Sequence, residues 1–265
     1  MNLGQSSQRV IRLIFANRMT SFDHDKVVPY QDSSLSKKEQ VAGMFNDIAG
    51  QYDFLNRFLS AGIDIRWRKK ALSHLKDIQP QKMLDVATGT ADVAIMAAHL
   101  LHPQQIIGID ISDGMLEIGR EKIKKAGLQN TITLHNGDSE AINFPDQSFD
   151  AVTVAFGVRN FQQLEKGLSE IHRVLRPGGK LVVLEFSQPK LPLIKTIYQL
   201  YMKIITPNVG KLFSKNRDAY KYLDESIRKF PEGRHFTAVL DQLGYQESYC
   251  KKMSLGICSI YCAIK

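Results

Sequence analysis

The sequence predicts an α/β protein built on a doubly wound sheet. From Lys82 onward, short apolar segments alternate with amphipathic helical ones. The first apolar segment runs into a turn of small residues around Gly89, and the second ends in an acidic residue, Asp110. Strands separated by helices pair in parallel through right-handed crossovers, so their carboxyl ends meet at one edge of the sheet. We therefore expect a ligand site at that edge, formed by the turn and Asp110.

Two helices are predicted ahead of the sheet. Ser36 and Glu39 have the spacing of a capping box, which marks the start of a helix. Gly62 interrupts the helical pattern, and a second helix carries Trp67. The first helix is predicted from apolar residues that recur every three or four positions, namely Val41, Met44, Phe45, Ile48, Tyr52, Leu55 and Phe58.

The first 37 residues are predicted to be a disordered tail, and residues 38–265 to form the domain. Arginines punctuate the apolar start of the chain, and no acidic residue precedes Asp23. This composition resembles a transit peptide or a weak amphipathic segment. Polar sequence follows Met19, so a start at that methionine is an alternative that leaves residues 1–18 out of the natural protein.

Beyond residue 82 the order of strands and helices follows from periodicity. Residues 189–231 break the alternation and mix apolar residues with lysines, so we predict an inserted helical lid there. Residues 176–179, Arg-Pro-Gly-Gly, are predicted to be a turn that opens the fifth strand. The predicted strands are 83–87, 105–109, 131–135, 151–155, 180–185, 245–253 and 256–264, and the predicted helices are 92–101, 113–126, 164–175 and 236–243.

Composition argues against several classes of function. No apolar run approaches the roughly 20 residues that a membrane-spanning helix needs. The three cysteines form no CxxC pair and the seven histidines no HExxH motif, so no metal site is expected. The net charge is +8, but basic residues are not interleaved with stacking aromatic residues, so no nucleic-acid partner is expected. The sparse cysteines favour a cytoplasmic location.

The turn after the first strand has the features of an adenosine site. Gly89 permits close approach of the backbone to a ligand, and Thr88 and Thr90 keep the turn open. Asp110 can accept hydrogen bonds from both ribose hydroxyls. A dehydrogenase that uses NAD would place an acid at the same point, but its pyrophosphate calls for a three-glycine turn that this sequence lacks. The pattern favours an adenosyl group without phosphates and leaves the dehydrogenase as an alternative.

The downstream motifs resemble those of class I S-adenosylmethionine-dependent methyltransferases. Asn-Gly-Asp-Ser-Glu at 136–140 follows the third strand, and Arg-Pro-Gly-Gly opens the fifth. In that family the turn after strand three holds the adenine, which by resemblance implicates Asp138 and Ser139. The alternative for Asp138 is a helix N-cap, which would use the same side chain.

Further segments narrow the resemblance to the ubiquinone/menaquinone C-methyltransferase family (UbiE/MenG). The similarity extends from about Lys38 to the C-terminus. It is specific because segments outside the cofactor motifs match as well. These segments are Met-Phe-Asn-Asp-Ile-Ala at 44–49, Tyr-Asp-Phe-Leu-Asn at 52–56, Gly-Ile-Asp at 62–64, Trp-Arg at 67–68, Phe-Gly-Val-Arg-Asn at 156–160, Leu-Glu-Phe-Ser at 184–187, Tyr-Lys-Tyr-Leu at 220–223 and Glu-Ser-Ile at 225–227.

The resemblance implies C-methylation of a demethylated quinol that carries a long isoprenoid tail, with S-adenosylmethionine as cofactor. Ala155 stands where the ubiquinone branch often has a serine, and together with Thr88 it favours demethylmenaquinol over a benzoquinol. Other lipid-like substrates and a non-catalytic, adenosyl-binding scaffold are the alternatives. The cofactor contacts implied for this chain are Asp85, Gly89, Thr90, Asp110, Asp138 and Ser139.

For the chemistry itself we hypothesise a polar cluster of Asp53, Arg159, Asn160 and Tyr222, with Arg159 stabilising the developing phenolate. The alternative is that Arg159 and Asn160 only fix the loop after the fourth strand. Because the substrate tail resides in a membrane, the lid is expected to touch the inner membrane surface transiently. The basic residues expected to face that surface are Lys195, Lys203, Lys211, Lys215 and Arg217.

Overall fold

A computed structural model describes residues 22–194, 196, 200 and 217–265 of the chain. The strands are β1 (Lys82–Val86), β2 (Gln105–Asp110), β3 (Ile132–Asn136), β4 (Phe149–Ala155), β5 (Leu175–Phe186), β6 (Gln246–Met253) and β7 (Cys258–Ile264). In the described residues they form a seven-stranded sheet of order β3-β2-β1-β4-β5-β7-β6. The first five strands are parallel, and β7 runs antiparallel between β5 and β6.

Helices cover both faces of this sheet, which confirms the predicted doubly wound fold. The helices are α1 (Lys37–Leu59), α2 (Asp64–Leu72), α3 (Asp92–Leu101), α4 (Asp113–Lys125), α5 (Leu164–Val174), α6 (Arg217–Lys229) and α7 (Arg234–Gln242). On one face, α5 and α7 bury Leu168 and Phe236 against Val152 and Val154 of β4. On the other face, α2, α3 and α4 pack against residues such as Ala151. Because both faces are covered, the central strands are continuous apolar runs.

The predicted capping box at the start of α1 is confirmed. The backbone N–H of Glu39 donates to Ser36 Oγ at 3.3 Å, and the N–H of Ser36 donates to Glu39 Oε2 at 2.8 Å. The helix therefore begins at Lys37, four residues before the first apolar residue that marked its periodicity. A cap fixes a helix start more closely than the apolar pattern does, because the first turn need not face the core.

The predicted turn at residues 176–179 lies inside β5 and not ahead of it. The segment bulges there, because Leu175 pairs with Phe149 and Lys180 with Ala151, and Gly178 has a φ of 78°. The N–H of Gly178 donates to the carbonyl of Lys265 at 2.7 Å, and the N–H of Lys265 donates to the carbonyl of Gly179 at 3.0 Å. Pairing with Lys265 thus keeps this bulged Arg-Pro-Gly-Gly segment within the strand. Turn propensity is a local property, so it does not predict a hydrogen-bonding partner that is so distant in sequence.

The predicted tail is packed against the domain from residue 22 onward, which corrects the boundary placed at residue 37. Asp23–Lys26 form a short 3₁₀ helix, and His24 is fully buried with its ring edge-on to Phe230 at 5.9 Å. The amine of Lys37 donates to the carbonyl of His24 at 2.7 Å. Residues 1–21 lie outside the described residues.

Only part of the predicted lid is described. Residues 192–194, 196 and 200 are helical, and α6 forms its C-terminal part. Tyr222 of α6 is buried against Val27, Val41 and Met44. In the described part of the chain, no helix is long and apolar enough to cross a membrane. The predicted membrane-facing residues Lys195, Lys203, Lys211 and Lys215 lie outside the described residues.

Lowering the pH from 7 to 5 is expected to lower the free energy of unfolding by about 2 kcal/mol through His24. Burial, and then the charge of Lys37, lower the pKa of His24 from 6.5 to about 3. The folded protein therefore keeps this ring neutral, whereas the unfolded chain takes up a proton below pH 6.5. Stability is lost as the pH falls, and urea unfolding at both pH values measures the loss.

The variant His24→Phe keeps a ring against Phe230 and removes the titrating group, so its loss between pH 7 and 5 should be smaller by that amount. His99 is exposed on α3, and His99→Gln should behave as the parent protein does. An unchanged loss in H24F would contradict this account.

Candidate functional site

The main pocket lies at the carboxyl ends of β1, β2 and β4, where the sequence placed it. It encloses about 630 Å³, counting its open mouth. Residues of the sheet edge form its floor, and α1 supplies Val41, Phe45 and Tyr52. The floor and the far wall include Ala87, Gly89, Asp110, Ile111, Gly137, Asp138, Ser139, Ala155, Phe156 and Asn160.

The turn between β1 and α3 presents backbone to this pocket. Ala87, Gly89 and Ala91 all have positive φ, at 53°, 56° and 64°. The N–H of Gly89 donates to Asp110 Oδ2 at 2.8 Å, and the N–H of Thr88 donates to the carbonyl of Ile109 at 3.0 Å. The left-handed conformation favours residues without a large side chain. The turn can therefore approach a ligand closely.

Asp110 has the environment expected of a diol-binding carboxylate. Its side chain accepts from the N–H of Ser112 at 2.9 Å and from Gly89 at 2.8 Å. Burial raises the pKa of Asp110, and the backbone N–H groups of Ser112, Gly89 and Ile111 oppose that rise. A carboxylate accepts about four hydrogen bonds. The carboxylate therefore keeps acceptor capacity for hydroxyl groups in the pocket.

Asp85 is placed below the turn, and hydroxyl groups occupy both of its oxygens. Thr88 Oγ1 donates to Oδ2 at 2.6 Å, and Thr153 Oγ1 donates to Oδ1 at 2.5 Å. Burial raises the pKa of Asp85 from 3.8 to about 6, against the effect of these hydrogen bonds. Asp85 therefore holds the turn to the sheet.

Asp138 and Ser139 follow β3 and line the main pocket on the side away from α3. The N–H of Glu140 donates to Asp138 Oδ1 at 2.9 Å, and no helix begins here, so the N-cap alternative is wrong. Lys38 Nζ forms an ion pair with Asp138 Oδ2 and lies 3.4 Å from Glu140 Oε2. Sequence reasoning missed Lys38. Its position in the first turn of α1 could have indicated this contact, because that helix covers the pocket.

Thr90 and Asp53 form a separate cluster. Thr90 Oγ1 donates to Asp53 Oδ1 at 2.6 Å, and Lys122 Nζ donates to Asp53 Oδ2 at 2.8 Å. The Thr90 hydroxyl is therefore turned toward α1. Asp53 contacts this group and not the other members of the hypothesised polar cluster, so its inclusion in that cluster is corrected.

Of the other three members of the hypothesised cluster, Tyr222 and Asn160 are in contact, and Arg159 precedes Asn160 in the same 3₁₀ turn. Tyr222 Oη donates to Asn160 Oδ1 at 3.1 Å. Asn160 lines the pocket, whereas Arg159 and Tyr222 are buried and do not line it. Burial raises the pKa of Tyr222, so its phenol is a donor at neutral pH. The cluster presents one amide group to the pocket.

Arg159 is held in place by Glu185, a partner that could not be predicted from the sequence. Its Nη1 donates to Glu185 Oε1 at 2.7 Å and to the carbonyl of Phe156 at 2.6 Å. Glu185 is fully buried in β5. The pair ties the loop after β4 to β5. This arrangement fits the alternative in which Arg159 fixes the loop.

The sequence is similar to those of proteins of a known family. Residues 33–265 match the sequence model of the ubiE/COQ5 methyltransferase family. A demethylmenaquinone methyltransferase of Bacteroides fragilis is 46% identical over 245 residues, which are 92% of this chain and 100% of that protein. The ubiquinone/menaquinone biosynthesis C-methyltransferase UbiE of Geobacter sulfurreducens is 44% identical over 226 residues, 85% of this chain and 88% of that protein.

A solved SAM-dependent methyltransferase of Thermotoga maritima has the same fold. Its TM-score is 0.57 at 18% sequence identity, over 84% of this chain and 99% of that chain. At this identity the likeness concerns the fold alone.

Proposed function

This chain belongs to the ubiE/COQ5 methyltransferase family, and we propose that it methylates a ring carbon of demethylmenaquinol. The proposal rests on the Bacteroides fragilis relative, whose name specifies demethylmenaquinone and whose whole length aligns. A benzoquinol of the ubiquinone pathway is the second candidate, because the Geobacter relative's name includes both quinones. S-adenosylmethionine is the methyl donor. The alternative of a dehydrogenase that uses NAD is therefore wrong.

The residues of the pocket fit the adenosyl group. The buried carboxylate of Asp110 has acceptor capacity for two ribose hydroxyls. Asp138 and Ser139 line the next part of the pocket, where the adenine is expected. Gly89 and Ala87 contribute almost no side chain. These residues would hold the cofactor.

When bound, S-adenosylmethionine supplies an electrophilic methyl group on a sulfonium. Phe45 and Tyr52 of α1 line the pocket together with Ala155 and Phe156, and these side chains would confine an aromatic ring. Holding a ring carbon in line with the methyl group supplies much of the rate. Positioning is therefore the principal task of this pocket.

Asn160 is the residue we assign to the quinol hydroxyl. Tyr222 fixes its amide oxygen, and the amide nitrogen lies 3.4 Å from the carbonyl of Phe156. One N–H is left for an oxygen that gains negative charge as the ring becomes nucleophilic. Arg159 is a cation paired with Glu185, and Tyr222 stays protonated, so neither takes the proton from the quinol. We assign its uptake to solvent at the open mouth of the pocket.

Transient contact with an anionic membrane surface is part of the proposal. The exposed Leu191 and Leu193 follow β5 at the same edge of the sheet as the pocket. The net charge of +8 favours an anionic surface. This contact would let the isoprenoid tail remain in lipid during the reaction.

The test supplies methyl-labelled S-adenosylmethionine with either demethylmenaquinol or the demethylated benzoquinol, each in anionic or neutral phospholipid vesicles. We expect label in the naphthoquinol ring, faster in anionic vesicles, and protein that pellets with these vesicles at low salt. Preferential labelling of the benzoquinol would overturn the choice of substrate. Label in neither quinol would favour the non-catalytic scaffold, and no pelleting would contradict the membrane contact.

A further inference from the structure

Apolar side chains are exposed along the carboxyl edge of the sheet, which also carries the main pocket. Leu255 is 64% exposed in the turn between β6 and β7. Phe54 and Phe58 of α1 are 58% and 47% exposed, and their rings stack at 6.0 Å. Leu191 and Leu193, which follow β5, are exposed as well. Large apolar side chains exposed at one edge indicate a surface that receives a partner.

The turn that carries Leu255 has a left-handed backbone. Ser254, Leu255 and Gly256 have φ values of 44°, 58° and 96°. Glycine or asparagine adopts this conformation at lower cost than leucine, whose Cβ approaches the following carbonyl oxygen. The turn is also anchored to the end of β5, because Ser187 Oγ donates to the carbonyl of Gly256 at 2.8 Å. Backbone strain of this kind concentrates at functional positions, and here it holds an apolar side chain out in solvent.

Contacts join this turn to the main pocket and to α1. Trp67, near the start of α2, donates from Nε1 to Ser254 Oγ at 2.8 Å. The ring of Trp67 lies 6.5 Å from that of Phe156, which lines the pocket. The end of α1 lies beside the start of α2, because Arg57 forms an ion pair with Asp64. The turn after β6 and the end of α1 therefore flank the start of α2, next to the pocket.

Basic side chains surround these apolar groups. Arg66 of α2 and Lys251 and Lys252 of β6 are exposed, and the side chain of Lys252 lies beside the turn. Asp64, the acid at the start of α2, is buried and paired with two arginines, so its charge is already neutralised. An apolar centre with a basic rim is complementary to a bilayer with anionic headgroups, and the apolar centre favours lipid over an anionic polymer.

We propose that this edge binds an anionic lipid bilayer through a docking face made of Phe54, Phe58, Arg66, Lys251, Lys252 and Leu255. The proposal rests on the proposed function, because a quinol whose isoprenoid tail stays in lipid must reach the pocket from the bilayer. Leu255 and Phe58 enter the boundary between headgroups and acyl chains, and the basic side chains contact the headgroups. The pocket then lies next to the bilayer.

Binding to phospholipid vesicles without quinol tests the docking face, and cosedimentation at increasing lipid concentration measures it. Leu255→Asn removes the apolar side chain and supplies a residue that favours the left-handed backbone, so the midpoint of thermal unfolding should not fall. We expect its binding to anionic vesicles to weaken about 3- to 10-fold, the effect of withdrawing part of a leucine side chain from apolar contact. Lys251→Gln combined with Lys252→Gln should weaken binding to these vesicles about 10- to 30-fold and leave binding to neutral vesicles unchanged.

Lys124→Gln combined with Lys125→Gln is the matched control. It removes the same number of charges from exposed positions at the end of α4, at the opposite edge of the sheet, and should weaken binding less than about twofold. Equal losses in the two double variants would overturn the proposal, because net charge alone would then explain the binding. An L255N protein that binds vesicles as the parent does would also overturn it. So would a change in sedimentation of L255N without lipid, which would place a second copy of the chain on this face.

A water-soluble demethylmenaquinol with a short tail separates this proposal from the proposed function. L255N should methylate it at the parent rate, and should methylate a long-tailed quinol in anionic vesicles about 3- to 10-fold more slowly than the parent. A protein that labels neither quinol but shows the binding differences loses the proposed function and keeps the docking face. A protein that labels both quinols, with L255N equal to the parent in vesicles, keeps the proposed function and loses the docking face.

Discussion

The variant Asp110→Asn is expected to bind S-adenosylmethionine about 100- to 1000-fold more weakly than the parent protein. Hydrogen bonds from two ribose hydroxyls to a buried carboxylate contribute about 1.5–3 kcal/mol each, and an amide accepts at one atom only. Its NH₂ group would also face the N–H of Gly89 or of Ser112, which donate to the carboxylate now. Calorimetric titration with S-adenosylmethionine or S-adenosylhomocysteine measures the loss.

Asp113→Asn is the matched control. Asp113 begins α4 three residues later, is exposed and accepts from Asn136 at 2.9 Å, and its replacement should change the affinity less than about twofold. Thermal unfolding without ligand separates a loss of binding from a loss of folding. An affinity of D110N within about threefold of the parent would refute the role of Asp110.

The parts of the site that lie in single short segments could be predicted from the sequence. The turn at Gly89 and the acid at Asp110 each follow a strand, and parallel pairing brings strand ends to one edge. The start of α1 could be read from Ser36 and Glu39, because a capping box is a local pattern. Resemblance to a family added Asp138 and Ser139, which a local pattern does not distinguish from a helix cap.

The partners of the charged side chains could not be predicted. Lys38 pairs with Asp138, which is 100 positions away in the sequence, and Arg159 pairs with Glu185, which is 26 positions away. Asp53 accepts from Thr90, which is 37 positions away in the sequence. This contact separates Asp53 from Arg159, Asn160 and Tyr222, with which the sequence analysis had grouped it. Such pairs depend on the distance between helix and sheet, and neither periodicity nor propensity carries that information.

Contacts between residues distant in sequence also explain the two errors in the predicted boundaries, at residues 176–179 and in the predicted tail. The segment at 176–179 has turn-forming residues and bulges, but its hydrogen bonds with Lys265 keep it within β5. Residues 23–37 of the predicted tail are mostly polar, but the ring of His24 packs against Phe230 in the core. In each case a tertiary contact outweighed local preference.

Replacing Arg159 by Met is expected to lower the free energy of unfolding by about 3–5 kcal/mol. The change leaves the Glu185 carboxylate fully buried. Within the part of the chain that the structure describes, it would then have no cation beside it and only the backbone N–H groups of residues 159 and 186 as donors. Turnover should also fall more than cofactor affinity, because Arg159 holds the loop of Asn160 and does not line the pocket. Urea unfolding and calorimetry measure the two effects.

A second substitution tests whether the loss comes from the unpaired charge. Arg159→Met combined with Glu185→Leu removes both members of the pair, so most of the lost stability should return while turnover stays low. Arg228→Met breaks an exposed ion pair with Asp224 and should cost less than about 1 kcal/mol. If R159M loses no more than R228M, or if the double variant is as unstable as the two single losses added together, the buried pair does not fix this loop. If turnover instead returns with stability in the double variant, Arg159 has no function beyond neutralising Glu185, and the positioning of Asn160 must come from Tyr222 alone.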